Sequence, residues 1–358
     1  MAYSFGGNLI VTLFGESHAA AVGVVLDGLP AGFEIDFDEI DNQLLRRKPA
    51  ASPFSSQRKE SDAYNILCGL GNGKTTGAVL AVMFKNNDAV SEDYVSWLPR
   101  PSSADYVSWI KYGGNGLAGG GQFSGRLTVG LVFAGAVVRQ ILERRCGVEI
   151  CSHVSRVYLH DDVRFDACEI PAELKKRLRL DPMPVIDDAA RANFLQALKI
   201  AKSENDSLGG CVEVAILGVK AGVGGPLFNS IESKISEMFF AIPAVKGIEF
   251  GNGFGLTKLK GSEANDSLYY DGDSVKTKTN NCGGICGGLA NGMPIVFNVA
   301  FKPVPSIGKE QTTVNLQTKT DADVKICGRH DVSVVTRAAV IAESAAALVM
   351  GNYLFFVA

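Results

Sequence analysis

The succession of β-branched runs and helical periods limits most strongly how this chain can fold. Short runs rich in Val, Ile and Leu alternate with segments in which apolar residues recur every three or four positions. This succession predicts an α+β fold. The runs predict strands at 9–14, 22–27, 79–84, 148–158, 212–218 and 295–301. The periods predict helices at 37–47, 127–145, 187–202, 229–240 and 336–350.

Two segments of the chain resemble each other. Residues 24–47 run strand, then Leu29-Pro30-Ala31-Gly32, then helix; residues 214–238 run strand, then Val219-Lys220-Ala221-Gly222, then helix. Similar units in sequence indicate an internal duplication, although strand, turn and helix also recur by chance. We therefore expect residues 1–358 to form a single domain, with two similar halves around one core. The polar segments 161–188 and 258–279 are predicted as long surface excursions.

Composition excludes several classes of protein. With 358 residues, 46% apolar residues and a net charge of −3, the chain is typical of a globular protein and gives no reason to expect a nucleic-acid partner. The first basic residue is Arg46, so no basic segment opens a secretory signal, and we expect a cytoplasmic protein. The apolar stretches 130–142 and 338–358 contain Arg139 and Glu343, which favours buried helices over membrane spans.

The eight cysteines are dispersed and form no C-x-x-C pair, so we interpret them as reduced thiols. Cys282 and Cys286 lie in a glycine-rich run. Two cysteines at this spacing also occur in metal sites, but no His is near, and we predict no metal.

Glycines and arginines together indicate a ligand site. The forty glycines cluster, for example at 113–114, 119–121, 209–210, 283–284 and 287–288. Such clusters let the backbone approach a ligand, or they form tight turns. Guanidinium groups suit carboxylate and phosphate oxygens, so arginines beside these clusters predict a pocket for an anionic small molecule. The candidate arginines are Arg46, Arg47, Arg58, Arg126 and Arg329. Dinucleotide and P-loop fingerprints are missing from the sequence, and the glycines at 71–73 are interpreted as a turn.

Two histidines stand where acid and base groups are commonly held. His18 follows a strand, and His330 precedes Asp331 beside a glycine. Ser17, His18 and Asp331 could also form a hydrolase triad. We do not favour that reading, because adjacent side chains on a strand point to opposite faces, and pairing Ser17 with His18 requires a local break.

A series of motifs follows in the same order as in a known family. The motifs are FGESH at 14–18, DGLPAG at 27–32, RRKP at 46–49, RKESD at 58–62, TTG at 75–77, RPSSADY at 100–106, KYG at 111–113, GGQFSGR at 120–126, PAVKG at 243–247, GGICGG at 283–288, KPVPSI at 302–307 and GRHD at 328–331. Over nearly its whole length, the chain resembles the chorismate synthase family.

The resemblance implies a β-α-β sandwich that assembles as a homotetramer and binds reduced FMN. It implies a lyase of the shikimate pathway to aromatic amino acids, which converts 5-enolpyruvylshikimate-3-phosphate to chorismate and phosphate by a 1,4-elimination without consuming the flavin. Whether the chain also reduces its flavin with NADP(H) is not visible, and Arg47 is the position we nominate for such a cofactor.

The resemblance also assigns roles. His18 would stabilise or protonate the reduced flavin, Ser17 would help to place it, and Asp331 would relay the proton taken from the substrate. The expected substrate and phosphate ligands are Arg46, Arg47, Arg58, Arg126 and Arg329. The expected FMN ligands are Ser124, Gly287, Lys302, Ser306 and Arg329.

The chain departs from the family at one catalytic position. Ser103 stands where the family has the histidine that protonates the leaving phosphate. Losing a general acid costs ~100- to ~10,000-fold in rate, so a slow enzyme is predicted. Ala19 and Ala50 replace glycines, 115–118 lacks the usual charges, and Val332-Ser333 replaces Pro-Cys.

Two alternatives differ in class. One is a divergent paralogue that binds flavin or a phosphorylated acid with little turnover, and Ser103 is the feature that separates it from an active enzyme. The other is an unrelated flavoprotein oxidoreductase, for which no hydride-acceptor site is found.

Overall fold

The structure, a computed structural model, describes residues 3–48, 54, 60–87, 95–114, 118–326 and 331–355. The strands are β1 Ser4–Gly6, β2 Ile10–Gly15, β3 Ala21–Asp27, β4 Tyr64–Cys68, β5 Leu70–Gly71, β6 Lys74–Thr75, β7 Leu80–Lys85, β8 Glu149–Val157, β9 His160–Asp161, β10 Gly210–Leu217, β11 Val245–Phe250, β12 Leu268–Asp271, β13 Ser274–Thr277, β14 Ile285–Cys286, β15 Leu289–Ala290, β16 Ile295–Phe301, β17 Gln311–Asn315 and β18 Thr320–Val324. The helices are α1 Phe37–Arg47, α2 Asp105–Lys111, α3 Thr128–Ile141, α4 Ala172–Leu180, α5 Asp188–Ser203, α6 Ile231–Phe240, α7 Gly261–Ala264 and α8 Val335–Leu354.

Two antiparallel sheets enclose a layer of helices. One sheet has the strand order β1-β2-β3-β7-β4, and the other has the order β11-β16-β10-β8-β9. Helix α3 packs on the first sheet through β3 and β7, whereas α8 packs on the second through β8 and β10. The result is a β-α-β sandwich, as expected, because each sheet buries one face against the same helices.

Helices α3 and α8 are buried almost all round because sheets and helices surround them. Every residue of α3 is buried. Gly135 permits the close approach of the two helices, since a Cβ there would lie 2.3 Å from the Ser344 Cβ. The segment Gly125–Cys146 is long and apolar enough to cross a membrane by length and composition alone, but 94% of its most apolar window lies inside the protein. It is a core helix, as its Arg139 suggested.

The expected pseudo-duplication is visible in the order of the elements. The series β2, β3, α1, β4, β7 and α3 corresponds to β8, β10, α6, β11, β16 and α8, and the two sheets have the same internal strand order. The two turns form equivalent hydrogen bonds: Gly32 N donates to Thr75 O at 2.7 Å, and Gly222 N donates to Ala290 O at 2.9 Å. Both glycines have positive φ, 76° and 90°.

The predicted strands and helices lie within a few residues of observed ones. Of the two polar segments predicted as surface excursions, 258–279 is almost entirely exposed, as expected, whereas 161–188 buries part of its length. Residues 161–188 contain α4 and bury Phe165, Ile170 and Leu178 against the outer face of the second sheet. Residues 258–279 contain α7 and the β12–β13 hairpin. Polar composition hid the buried anchors of 161–188. The run at 71–73 is a turn, as predicted, between β5 and β6.

Candidate functional site

Arg47, Asp62 and Arg126 form a buried ion-pair group. Arg47, at the end of α1, donates from Nη2 to Asp62 Oδ2 at 2.5 Å, and Arg126 donates from Nη1 to Asp62 Oδ1. All three residues are less than 7% exposed. Asp62 also has a φ of 53°, a left-handed conformation that is uncommon outside glycine. Two arginines from separate parts of the chain therefore converge on one carboxylate.

The electrostatics of this group favour an additional anion. Burial lowers the pKa of Arg47, Arg337 and Arg126 lower it further, and Asp62 only partly opposes them. Burial alone would raise the pKa of Asp62, but the two arginines hold it below its usual value. The buried Nε of Arg47 has no hydrogen-bond partner among the described residues. A buried donor without a partner is costly, and an oxygen of an anionic ligand would satisfy it.

Asn86 ties this group to the turn that carries Ser17 and His18. Its Oδ1 accepts from Arg126 Nε at 2.9 Å, and its Nδ2 donates to Glu16 O and Ala19 O at 2.9 and 2.7 Å. The strand β2 ends at Gly15, so Ser17 and His18 lie on a turn.

The turn supplies the local break that the sequence argument required for pairing Ser17 with His18. Ser17 Oγ lies 2.8 Å from His18 Nδ1. This local contact orients the imidazole. Ser17 itself is completely buried. Ala19 has no left-handed φ, so alanine is tolerated where the family has glycine.

The turn Ala118–Phe123 connects the Ser17 turn with a second group of polar side chains. Ser17 N donates to Gly121 O at 3.2 Å. A Cβ on Gly120 would lie 4.0 Å from both Arg100 Nη2 and the Ser124 Cβ, so Arg100 and Ser124 flank this glycine. Arg100 in turn donates from Nη1 to Ser306 Oγ at 2.8 Å. Ser124 and Ser306 are therefore brought close together by Arg100.

Ser103 has a structural role in this second group. Its Oγ donates to Arg100 O at 2.9 Å and accepts from Asp105 N at 3.0 Å, at the start of α2. Asp105 holds the Arg100 guanidinium through two bonds of 2.7 Å. The hydroxyl thus bridges two backbone groups at the start of α2. It cannot exchange a proton near neutral pH as a histidine does.

Lys302 lies beside the same segment. Its Nζ donates to Ser102 O at 2.5 Å, and Ser102 has a φ of 59°. Burial lowers the pKa of Lys302, and the neighbouring Lys246 lowers it further. The structure therefore places an ammonium group of reduced basicity one residue from Ser103.

Asp331 faces Arg337, which donates to it from Nη2. Arg337 also lowers the pKa of Arg47, so the Asp331–Arg337 pair lies near Arg47. The structure thus connects most of the site residues that the sequence suggested. They are Ser17, His18, Arg47, Ser103, Ser124, Arg126, Lys302, Ser306 and Asp331.

Four of the suggested residues lie elsewhere or outside the described residues. Arg46 forms an ion pair with Glu343 in the helix layer, at 2.6 and 3.0 Å, and Arg139 and Ser152 bond the same carboxylate. Gly287 lies in the β14–β15 hairpin, which packs against Gly225 and Ser230. Arg58 and Arg329 fall outside the described residues. Arg46 therefore stabilises the helix layer.

Sequence reasoning missed several residues that complete the site. The quoted motifs contain Asp62, Arg100 and Asp105. The two carboxylates were passed over because a carboxylate is a weak signal for an anion site. Arg100 was passed over because it precedes a proline, as residues in turns often do. Asn86 and Arg337 gave no signal, because only the fold brings them to the cluster. A search for charge partners of the predicted arginines could have found Asp62.

Fold and site together define a β-α-β sandwich protein with a buried, arginine-rich site for an anionic small molecule. A family model described as chorismate synthase matches residues 9–355. Curated relatives named chorismate synthase include one from Thermococcus kodakarensis, 43% identical over 98% of this chain and 96% of its own length, and one from Dehalococcoides mccartyi, 39% identical with the same coverage. A crystal structure of chorismate synthase superimposes with a TM-score of 0.76 at 25% identity, covering 98% of this chain and 92% of that one. The chain belongs to the chorismate synthase family, whose members are carbon–oxygen lyases of aromatic biosynthesis.

Proposed function

We propose that this chain eliminates phosphate from 5-enolpyruvylshikimate-3-phosphate to give chorismate. The observation that carries the proposal is the buried Arg47 Nε, which lacks a partner among the described residues within a cluster that Asn86 ties to the Ser17–His18 turn. The substrate has a phosphate and two carboxylates. An anionic oxygen at Arg47 Nε would satisfy the donor and offset the neighbouring arginines that lower its pKa.

The two arginines of the cluster have different roles in this proposal. Arg126 donates hydrogen bonds to Asn86, Asp62 and the carbonyl of Lys85. It is therefore a positioning residue that holds Asp62, and Asp62 in turn orients Arg47. Arg47 is the guanidinium that contacts substrate, and preorganised charge in a buried site is what stabilises a departing phosphate.

Reduced FMN is the proposed cofactor, and the second group of side chains fits it. Ser124, Lys302 and Ser306 offer hydroxyl and ammonium donors beside the glycines of the 118–123 turn, a set suited to a phosphate and a polar ring edge. When bound, the reduced flavin supplies a transient electron that weakens the bond to phosphate. Ser17 fixes the His18 ring through Nδ1, so that His18 would hold a proton at the flavin, and Asp331 would accept the proton that leaves the substrate.

Lys302 is the proposed source of the proton that Ser103 cannot give. Its Nζ contacts the backbone of Ser102, and burial and Lys246 lower its pKa below the usual value of a lysine. A Brønsted acid with a lowered pKa donates more readily to a leaving phosphate. This assignment explains how activity can persist without the family histidine.

A cytoplasmic homotetramer acting on a small molecule is also proposed, with one domain per chain and NADP(H) as a further cofactor. Adjacent apolar side chains support the assembly: Leu227 is 80% exposed with a φ of 52°, and Phe228 is 91% exposed. Such a strained, apolar surface is more favourable when another chain covers it. Light scattering after size-exclusion chromatography tests the tetramer, and a monomer at micromolar concentration contradicts it.

Anaerobic turnover tests the proposed function. The assay follows chorismate absorbance after mixing 5-enolpyruvylshikimate-3-phosphate with the protein and chemically reduced FMN. We expect slow turnover in the unmodified protein and a large loss in Arg47→Met. Arg156→Met is the matched control, because Arg156 is an exposed arginine in a surface ion pair. Substrate binding without turnover, in both the unmodified protein and Ser103→His, would instead identify a binding protein.

A further inference from the structure

Two thiols meet at the glycine-rich segment before β14. Cys282 and Cys286 are four residues apart, and the Cys282 thiol forms a side-chain hydrogen bond with Cys286. Gly283 and Gly284 between them have φ of 68° and 80°, and a Cβ on either would lie 2.4 or 2.3 Å from backbone atoms. These glycines reverse the chain, and the reversal brings the two cysteines together.

The environments of the two thiols differ. Cys282 is partly buried, and Asp266 accepts its backbone N–H at 2.9 Å. Burial, together with hydrogen bonds to Asp266 and Cys286, raises the pKa of Cys282 to about 12, so this thiol stays protonated at neutral pH. Cys286 is exposed, and Asn291 Nδ2 donates to its Sγ at 3.9 Å. Because Cys286 is exposed and its sulfur accepts a hydrogen bond, it is the better nucleophile of the two thiols.

We propose that Cys282 and Cys286 form a peroxide-sensitive dithiol that closes to an intramolecular disulfide. The Cys286 sulfur attacks hydrogen peroxide, forming an S–O bond as the O–O bond breaks, and gives a sulfenic acid and one water. The Cys282 sulfur then displaces the hydroxyl, forming the S–S bond and a second water. Two thiols and one peroxide thus give one disulfide and two waters.

A metal site does not explain the pair. The described residues contain no group of three or more His, Cys, Asp and Glu side chains placed to hold a metal ion. Asp266 is engaged with the backbone N–H groups of Asn281 and Cys282 and with Thr279. Two thiols and a committed carboxylate are suited to disulfide chemistry and poorly suited to zinc.

The location gives the dithiol a consequence, which rests on the proposed function. Cys286 belongs to the β14–β15 hairpin, whose turn contains Gly287, the residue that the family resemblance assigns to FMN. Reduced flavins react with dioxygen to give hydrogen peroxide, so the oxidant arises where the proposed cofactor is used. A disulfide would fix the backbone before Gly287, and we expect it to weaken binding of reduced FMN.

Mass spectrometry tests the disulfide independently of activity. The full-length protein is treated with equimolar hydrogen peroxide, denatured, alkylated and digested with trypsin. Both cysteines lie in one tryptic peptide between Lys278 and Lys309. We expect this peptide to lose the mass of two hydrogen atoms, to resist alkylation and to recover with dithiothreitol. Oxidation of Met293 in the same peptide adds an oxygen and is distinguishable.

Single variants separate the two sulfurs. In Cys282→Ser, we expect Cys286 to proceed to sulfinic and sulfonic acids, and in Cys286→Ser we expect Cys282 to stay reduced. Cys68→Ser is the control, since Cys68 is also exposed. Without peroxide, iodoacetamide should modify native Cys286 roughly tenfold or more faster than Cys282.

Each outcome decides the proposal. Equal alkylation rates, or peroxide oxidation of Cys282 and Cys286 to separate acids in the unmodified protein, would overturn the dithiol. Inactivity of the enzyme with an intact peroxide-induced disulfide would contradict the proposed function alone.

Discussion

Arg47 and Asp62 meet side chain to side chain, with Nη2 and Oδ2 2.5 Å apart, although they come from different elements and both are almost fully buried. The second carboxylate oxygen of Asp62 accepts from Arg126. One carboxylate thus orients two guanidinium groups and leaves Arg47 Nε, within the described part of the chain, without a partner. Removing the carboxylate would leave two buried cations in mutual repulsion.

Asp62→Asn tests this relationship. Asparagine has the same shape and tolerates positive φ, so the change removes charge without adding backbone strain. We expect the free energy of unfolding to fall by about 3–5 kcal/mol, because breaking a buried pair leaves uncompensated charge. We expect kcat/KM to fall roughly 100-fold or more as Arg47 loses its orientation. Asp161→Asn is the control, since Asp161 pairs with Arg156 on the surface and should change stability by less than ~1 kcal/mol.

Glu343 gives a prediction about stability alone. Arg46 and Arg139 hold the pKa of this buried carboxyl down to about 2, although burial opposes them. A depressed pKa stabilises the fold above the ordinary value of 4.5, and the contribution of about 3 kcal/mol is lost as pH falls toward about 2. We expect urea denaturation to show this loss in the unmodified protein. Glu343→Gln should lower the free energy of unfolding at pH 7, and its free energy of unfolding should fall less between pH 4.5 and pH 2 than that of the unmodified protein. The KM of the folded variant should stay near its original value.

His153 predicts the opposite pH dependence. The imidazole lies between Asp162 and Glu213, at 2.8 and 2.9 Å, and is fully buried. Burial alone would lower its pKa, but hydrogen bonds to both carboxylates raise it above 6.5. The stabilisation is therefore complete below pH 6.5 and is lost as pH rises through the raised pKa.

Thermal unfolding between pH 6 and pH 10 checks this prediction. His153→Gln should be less stable at pH 6, and its Tm should decline less with rising pH than that of the unmodified protein. A parallel decline in both proteins would assign the pH dependence to other groups. His160→Gln is the control, because His160 is only half-buried on the neighbouring strand β9.

Sequence patterns predicted the strands and helices of an α+β fold because their signals are local, whereas the sandwich arrangement was expected only from the family resemblance. The run at 295–301 matches β16, and 37–47 matches α1, where Asp36 caps the first turn by accepting from Glu39 N. Contacts between distant segments carry no such signal. Arg46 and Arg47 are adjacent on α1, yet one pairs with Glu343 in the helix layer and the other with Asp62 in the site. The motif suggested both, and only the facing elements separate them.

The Ser103 region shows the same limit from another direction. The motif revealed that the histidine is missing, but not that the serine hydroxyl is engaged with Arg100 O and Asp105 N. Nor could spacing show that Lys302, 200 positions away, contacts Ser102. Both facts depend on tertiary packing.

The pH dependence of kcat tests whether Lys302 replaces the missing acid. A general acid must be protonated, so activity is full below its pKa and falls as pH rises through it. Burial and Lys246 place the Lys302 pKa below 10.5, and we expect the alkaline limb of the unmodified protein there. Lys302→Arg keeps the charge but does not deprotonate in this range, so kcat should fall and the alkaline limb should disappear. Because Lys302 is also a proposed FMN ligand, flavin affinity is measured for each variant and kcat is taken at saturating reduced FMN.

Ser103→His supplies the matched gain of function. A histidine at this position has an ordinary pKa near ~6.5, so its own limb should appear there, with kcat rising roughly 100-fold below that pH. The double variant Ser103→His, Lys302→Arg then separates the roles: if Lys302 is the acid, histidine restores most of the kcat that arginine removes. If the double variant is as slow as Lys302→Arg alone, Lys302 is needed for positioning, and the proton reaches the phosphate by another route.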